Sequence, residues 1–375
     1  MSNGKIKTPC FIVNVDNVVM HYRNWISAFR VYSRNDLIAY SVKANYDSEI
    51  LKSLNNEGCM FEVCTRHEYD LLVSKGINPE MIIVNGTICD AADFSIYASN
   101  KSLVILDSDR AINIAIDSNV ECYIGIRCNL DWVKVDKALY KSCSSRFGIN
   151  DVLGTLRKLE QAKHLKLVAL QAHFSGNTRA PRVYRDIVRG LSDIVVKNNL
   201  KGIEFFDIGG GYKIANNYWN EMAYVKEVFQ ELKTKGLENI HIIYEPGNAI
   251  VRDSVSYITK IIDVKRVQNK NYCIVDGSTL HIPYLKRIKL FDYEILGRDY
   301  NYKINEQIIS GCTCKESDVF VCLEDDFEIV NGNYLIVDNV GAYVINEISP
   351  FLLAIPTFYY DVDIRLIKQD ISNYL

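Results

Sequence analysis

The sequence predicts an α/β fold: a (β/α)8 TIM-like barrel followed by an all-β domain. Three observations carry that prediction. Eight short runs are nearly continuously apolar, as strands buried on both faces should be. Longer segments with helical spacing separate them, and eight strand–helix units in about 210 residues are what such a barrel requires. After about residue 252 the helical segments stop, and strand-like runs follow one another directly. A doubly wound sheet is the rival architecture, because a count of strands does not show closure.

The eight runs are residues 38–45, 59–64, 81–86, 102–108, 122–128, 165–174, 203–211 and 240–247. Residues 47–57 (DSEILKSLNNE) open with a capping pattern. Residues 65–75 set apolar side chains three and four apart and are followed by Gly76, a helix stop. Longer helical stretches cover 151–163, 182–198 and 218–235. Beyond them, strands are expected at 255–264, 271–276, 318–322, 327–337 and 341–347. Asn331-Gly332 lies between FEIV and NYLIV, a strong hairpin signal. The expected domains are a barrel over residues 19–251 and a β-sandwich or β-barrel over 252–375. A strand-like run at 10–15, within residues 1–18, is expected to join the second.

The balance of 43 Lys+Arg against 46 Asp+Glu leaves a formal charge of −3, without the basic excess of a dedicated nucleic-acid binder. A 48% hydrophobic, 24% charged composition is globular and excludes disorder, collagen and a coiled-coil rod. No apolar run approaches the roughly 20 residues of a membrane span. The start, MSNGKIKTPCFIVNVD, lacks the apolar core and cleavage site of a signal peptide, so a cytoplasmic protein is expected. The eleven cysteines are odd in number and fall mostly in apolar runs (Cys59, Cys64, Cys122, Cys128), which reads as reduced, buried thiols. With no C-x-x-C pair and no H-E-x-x-H, no metal site is expected.

In such barrels chemistry gathers at the carboxyl ends of the strands. The first run ends in Lys43 and Asn45, the fifth in Arg127 and Asn129, and the sixth in His173 and Ser175. The seventh ends in Asp207 and Gly209-Gly210-Gly211, and the eighth in Glu245-Pro246-Gly247. A lysine ending an apolar strand is costly unless it is paired or its pKa is lowered, and a lowered pKa makes a Schiff-base nucleophile; the alternative is a solvated rim lysine. Consecutive glycines after a strand expose N–H groups suited to a phosphate, or merely make a tight loop. A buried carboxylate at Glu245 can bond a protonated pyridine nitrogen, or cap a helix. His173 could stack on a ring, or be a satisfied core histidine. Together, a lysine, a phosphate loop and a pyridinium carboxylate at one end of a barrel describe a pyridoxal 5′-phosphate (PLP) site.

The stretches TPCFIVNVD, YSVKAN, GCMFEVCTRHE, SRFGI, HFSGN, FDIGGG, YEPG, SGCTCKESD and VGAYV run in order along nearly the whole chain. In them the sequence resembles the fold-type III PLP-dependent amino acid decarboxylases, which share the alanine racemase-like fold. That family includes the diaminopimelate, ornithine, biosynthetic arginine and carboxynorspermidine enzymes. The resemblance implies that Lys43 carries the cofactor as a Schiff base and that His173 stacks on its ring. It further implies that Gly209, Gly210, Gly211 and Gly247 border the phosphate, that Glu245 bonds the pyridine nitrogen, and that Tyr343 reaches the phosphate from the β domain. Cys314 matches a cysteine that enters the partner subunit's site and helps protonate the decarboxylated carbanion. Asp318, with Glu316 near it, matches acidic residues beside the substrate. A homodimer with two shared sites and a small amino acid substrate is implied, with no nucleic acid or membrane partner.

The sequence also departs from the family pattern. Asn248 stands where EPGR would place a phosphate-supporting arginine, and Arg252, four residues on, is the expected substitute. Gly311-Cys312 replaces the usual GP, and Lys315 stands directly after Cys314 where the diaminopimelate enzymes have Glu. Ile282-Pro283 lacks the arginine of their carboxylate clamp. The leading reading is PLP-dependent α-decarboxylation of an L-amino acid or derivative, a diamino acid or a biosynthetic intermediate. The departures put diaminopimelate in doubt and leave room for a less common substrate, such as a modified amino acid in siderophore or antibiotic assembly. A racemase is the second reading, disfavoured because Glu245 strengthens the electron sink. A non-catalytic regulatory paralogue is the third, disfavoured because the lysine, cysteine and glycine loop are all present.

Overall fold

The computed structural model describes residues 5–87, 90–130, 145–174, 179–212, 219–283, 292–298, 300–360, 362–369 and 371. The chain divides into two compact units. One comprises Met1–Val18, Ala44–Asp47 and Val251–Leu375, and the other Val19–Lys43 and Ser48–Ile250.

In the larger unit, eight parallel strands close into a barrel: β2 (Leu37–Ser41), β3 (Met60–Val63), β4 (Ile82–Val84), β5 (Leu103–Leu106), β6 (Cys122–Arg127), β7 (Leu165–Gln171), β8 (Phe205–Asp207) and β9 (His241–Tyr244). The last pairs with the first, Leu37 opposite Ile243, which decides against the open doubly wound sheet. Seven strands fall within an apolar run, and β2 begins one residue before the run at 38–45. The interior is packed by Ala39, Ile83, Ile105, Val168, Ala169 and Ile243, with Leu37, Met60, Leu103 and Phe205 against them. Gly125 belongs to this layer, since a Cβ there would lie 2.5 Å from Ile105 and 2.9 Å from Ala169.

Helices α2 (Ser48–Asn56), α3 (Arg66–Ser74), α4 (Ala91–Ser99), α5 (Asp109–Ser118), α6 (Val152–Gln161), α7 (Pro181–Lys197) and α8 (Trp219–Lys235) alternate with the strands; α1 (Val15–Val31) precedes them. Local sequence sets where they begin. Thr65 and Glu68 form a capping box, and Asp90, Ser108 and Asp151 each accept a backbone N–H three residues on. Pro181 opens α7, where its missing N–H costs nothing. Trp25 of α1 is buried against Tyr212, Tyr224 and Tyr244, with ring centroids 4.9, 6.1 and 5.2 Å away. Burying a ring of that size contributes roughly 2–3 kcal/mol.

The smaller unit holds one eight-stranded sheet: β1 (Cys10–Val13), β10 (Val255–Val267), β11 (Lys270–Val275), β12 (Tyr293–Leu296), β13 (Lys303–Ser310), β14 (Val319–Phe327), β15 (Tyr334–Val337) and β16 (Thr357–Tyr359). The 13-residue β10 organises it, pairing with β1 and β15 through its first half and, past an irregularity at Ile261/Asp263, with β11. Ile12, Ile258, Leu296, Ile336 and Ile367 form its core.

Two sequence expectations fail here. Asn331-Gly332 does turn the chain, but no hairpin results: β14 pairs with β13, whereas β15 pairs with β10 and β12. The turn is closed locally, Val330 N–H donating to Asn333 Oδ1 and Gly332 N–H to Ile261 O. Residues 341–347 are not a strand. Gly341 N–H donates to Arg252 O and Tyr343 N–H to Ala44 O, while Tyr343 sits at φ +61°, which bends the chain.

Candidate active site

Side chains alternate along a strand, so residues two beyond the packed interior layer also face inward. In the barrel these are Ser41, Glu62, Asn85, Asp107, Arg127, Gln171, Asp207 and Glu245, one polar residue from each of the eight strands. The chain thus places a polar layer over an apolar barrel floor. Lys43 lies two residues past Ser41, on a short 3-10 turn.

Lys43 Nζ is 2.5 Å from Glu62 Oε2 and 3.4 Å from Cys64 Sγ. Glu62 is almost fully buried and also accepts from Ser41 Oγ at 2.7 Å and from Cys64 Sγ at 3.1 Å. Burial works to lower the lysine's pKa, but Glu62, with Cys64 and Glu245 behind it, outweighs burial and raises it above the ordinary value. Of the two alternatives open from sequence, a paired lysine or one of lowered pKa, the geometry is that of a lysine paired with a carboxylate, Glu62. Burial likewise works to raise Glu62, but Lys43 and its hydrogen bonds hold it below the usual range. Cys64 is pushed up by burial and by Glu62.

Glu245 is buried, 4% exposed, and its Oε1 accepts from Asn85 Nδ2 at 2.8 Å. Burial, then the Asp207 and Glu62 charges, push its pKa well up. Asp207 is pushed up to about 7, mainly by burial. Asp207 Oδ1 accepts Gly209 N–H at 2.9 Å, and among the described residues its Oδ2 has no hydrogen-bond partner. Two neighbouring buried carboxyls, Asp207 raising the pKa of Glu245, favour a cationic group beside them.

The glycine loop is held from both sides. Gly209 O accepts from Tyr212 Oη at 2.9 Å and Gly210 O from Tyr184 Oη at 3.1 Å. Gly209, at φ +69°, has His173 Nδ1 2.3 Å from where a Cβ would be, and at Gly210 a Cβ would meet Glu245 O at 2.4 Å. No side chain fits at either position. Gly210 N–H donates to His173 Nδ1 at 3.3 Å. Gly209 N–H is given to Asp207, and among the described residues the N–H groups of Gly211 and Tyr212 have no acceptor. Burial, then the Arg127, Lys43 and Arg179 charges, lower His173 to about 3, so its ring is neutral with the proton on Nε2. Gly247 follows Glu245-Pro246, whose Pro246 O accepts Ser41 N–H at 3.3 Å. Ser175 lies outside the described residues.

The residues assigned to the β unit fare differently. Cys314 and Glu316 are exposed on the loop between β13 and β14. Cys312 and Cys314 lie on bends. Tyr343 is half-buried on the bend described above. Asp318 is not available to a substrate. It is 2% exposed, and its carboxylate accepts from Ser278 Oγ (2.8 Å), Thr279 N (2.8 Å), Thr279 Oγ1 (2.8 Å) and Thr313 Oγ1 (2.6 Å). Burial works against its charge, but these donors outweigh it and hold its pKa below the usual range. Asp318 closes the 311–318 loop from within, and Gly311 N–H donates to Asp318 O at 2.8 Å.

Glu62, Asn85 and Cys64 were not singled out from sequence. The signal existed: each follows from strand parity once Met60 and Ile83 are known to face inward. Among the described residues no His/Cys/Asp/Glu cluster could hold a metal ion, and no helix is long and apolar enough to cross a membrane.

Residues 15–252 match the family model of the pyridoxal-dependent decarboxylase pyridoxal-binding domain. A diaminopimelate decarboxylase of Helicobacter pylori is 25% identical over 361 residues, covering 90% of this chain and 86% of that protein. The crystal structure of a diaminopimelate decarboxylase from M. jannaschi matches with a TM-score of 0.81 at 18% identity, over 99% of this chain and 94% of that one. A Vibrio vulnificus lysine/ornithine decarboxylase complexed with cadaverine matches with a TM-score of 0.78 at 19% identity, over 95% of each chain. The barrel residues are of the kinds PLP needs: Lys43 would offer the amine, Glu245 with Asp207 the partner for the pyridine nitrogen, and the glycine loop N–H groups for the phosphate. When bound, PLP supplies the electron sink for breaking a bond at the substrate's α-carbon. The chain belongs to the pyridoxal-dependent decarboxylases and is a PLP-dependent carboxy-lyase acting on an amino acid.

Proposed function

We propose that the protein releases the α-carboxylate of an L-amino acid, or a derivative of one, as CO2. It does so as a cytoplasmic homodimer with two shared sites. The buried Asp207–Glu245 pair is the observation that carries this reading. The negative charge of that pair favours a protonated pyridine nitrogen, the state that best accepts the electrons left when CO2 departs. Lys43 is the covalent attachment point, with Glu62 as the counter-charge that holds its Nζ. His173, tied through Nδ1 to Gly210, stacks on the cofactor ring, and Gly247 borders its phosphate. Cys314 and Glu316, on their exposed loop, enter the partner subunit's site, where Cys314 helps deliver a proton to the product and Glu316 faces the substrate. The nine free thiols among the described residues suit a reducing compartment.

A distal ammonium on the substrate is disfavoured: two acidic residues were expected beside it, and Glu316 alone remains. Asp318 is spent on Ser278, Thr279 and Thr313, and Lys315 adds a positive charge beside Cys314. The test is CO2 release by the PLP-loaded protein across a panel: diaminopimelate, ornithine, lysine and arginine in one arm, and amino acids with neutral or carboxylate-bearing side chains in the other. Release from a member of the second arm, with the matching amine as product, is expected. A preference for the first arm would overturn the substrate class, and racemisation without CO2 would overturn the reaction.

A further inference from the structure

The phosphate of PLP carries close to two negative charges at neutral pH, yet Asn248 brings no cation to the turn after Glu245-Pro246-Gly247. We propose that Arg179 is the positioning residue that holds the cofactor phosphate, in the role Asn248 leaves open. The sequence pointed to Arg252; the barrel unit places Arg179 against the glycine loop instead.

The guanidinium lies over the bare Cα of Gly211. A Cβ built there would be 3.1 Å from Arg179 Cζ and 3.2 Å from both Nε and Nη1. Gly211, at φ +93°, and Tyr212 have N–H groups with no acceptor among the described residues. Arg179 has five N–H donors. Among the described residues its side chain makes one hydrogen bond, Nη1 to Phe174 O at 3.3 Å, and no carboxylate pairs with it. An arginine with four unspent donors, next to two unspent backbone N–H groups, is a site for a multivalent oxyanion.

The arrangement is rigid before any ligand arrives. Tyr224 Oη donates to Arg179 O at 2.7 Å, fixing the backbone that carries the guanidinium. Pro181 starts α7 two residues later, and Tyr184 in its first turn reaches back to Gly210 O. Tyr184 and Tyr212 stack with ring centroids 4.4 Å apart, so the arginine turn and the glycine loop are tied together twice. A bidentate fork held this way loses little freedom on binding.

The proposal rests on PLP as cofactor, and the test separates the two. Equilibrium binding of PLP and of pyridoxal, which has the same ring and aldehyde but no phosphate, is measured on the full chain and on its Arg179→Gln variant. Arg179→Gln should raise the Kd for PLP about 10–100-fold, the worth of a charge-assisted contact. It should leave the Kd for pyridoxal within about twofold. Adding Asn248→Arg to Arg179→Gln should recover PLP affinity. Equal loss of PLP and pyridoxal would make Arg179 a support of the fold, and unchanged PLP affinity would place the phosphate elsewhere; either overturns the proposal. Wild-type protein that binds no PLP would instead overturn the cofactor assignment, and this proposal with it.

Discussion

Glu62→Gln should make Lys43 react with PLP at lower pH. Glu62 Oε2 lies 2.5 Å from Lys43 Nζ. With charge centres about 4 Å apart and an effective dielectric near 20, their attraction is about 4 kcal/mol, equivalent to about 3 pKa units. The Lys43 side chain is 43% exposed, so water screens much of this, and a change of about 1–2 units is the realistic size. The sign is fixed by chemistry. Glu62 favours the ammonium, and only the neutral amine attacks an aldehyde, so attachment in the wild type speeds up as pH rises through a raised pKa. Glutamine removes the charge; its carbonyl oxygen can accept from one of Ser41 and Cys64 and its amide can donate to the other, which preserves the local packing. The midpoint of the pH–rate curve for covalent PLP attachment should therefore fall by about 1–2 units, and the rate below both midpoints should rise about 10–100-fold. Stopped-flow absorbance over a pH series reads both. A midpoint that stays put or moves up would refute the electrostatic account of Lys43.

Glu245→Gln should lower turnover about 100-fold or more while changing the Kd for PLP less than about tenfold, because the loss falls on carbanion stabilisation; near wild-type turnover would remove Glu245 from that role. Asp318→Ala strands four donors from Ser278, Thr279 and Thr313. It should cost about 3–5 kcal/mol in denaturant unfolding without reordering the substrate panel; intact stability with a reordered panel would return Asp318 to the substrate. Lys43→Ala and Cys314→Ala, each impaired alone, should complement when subunits exchange. About a quarter of wild-type activity should return when half the dimers are mixed, and no return despite proven exchange would confine both residues to one chain or remove Cys314 from catalysis.

The barrel was legible because its signal is redundant: eight apolar runs, helical spacing between them and capping residues all point one way. The β unit was less so. The Asn331-Gly332 signal is local, and it cannot report that β15 finds better partners in β10 and β12. Residues 341–347 looked like a strand by composition, but two backbone bonds and the positive φ of Tyr343 bend them. Within the site, Lys43, Glu245 and the glycines stood out because polar residues and glycine runs interrupt apolar strands. Glu62 did not, although it sits inside such a strand, because a motif read as a string hides which face each residue occupies. Asp318 shows the opposite failure: its type suggested chemistry, and its four partners assign it to structure.

The account turns on Lys43 as the residue that takes PLP. Borohydride reduction of the PLP-loaded protein, followed by peptide mapping by mass spectrometry, tests it most directly. The reduced cofactor should be found on Lys43 and on no other lysine, and the Lys43→Ala variant should carry none. A label on a different lysine, or an undiminished label in Lys43→Ala, would contradict the site.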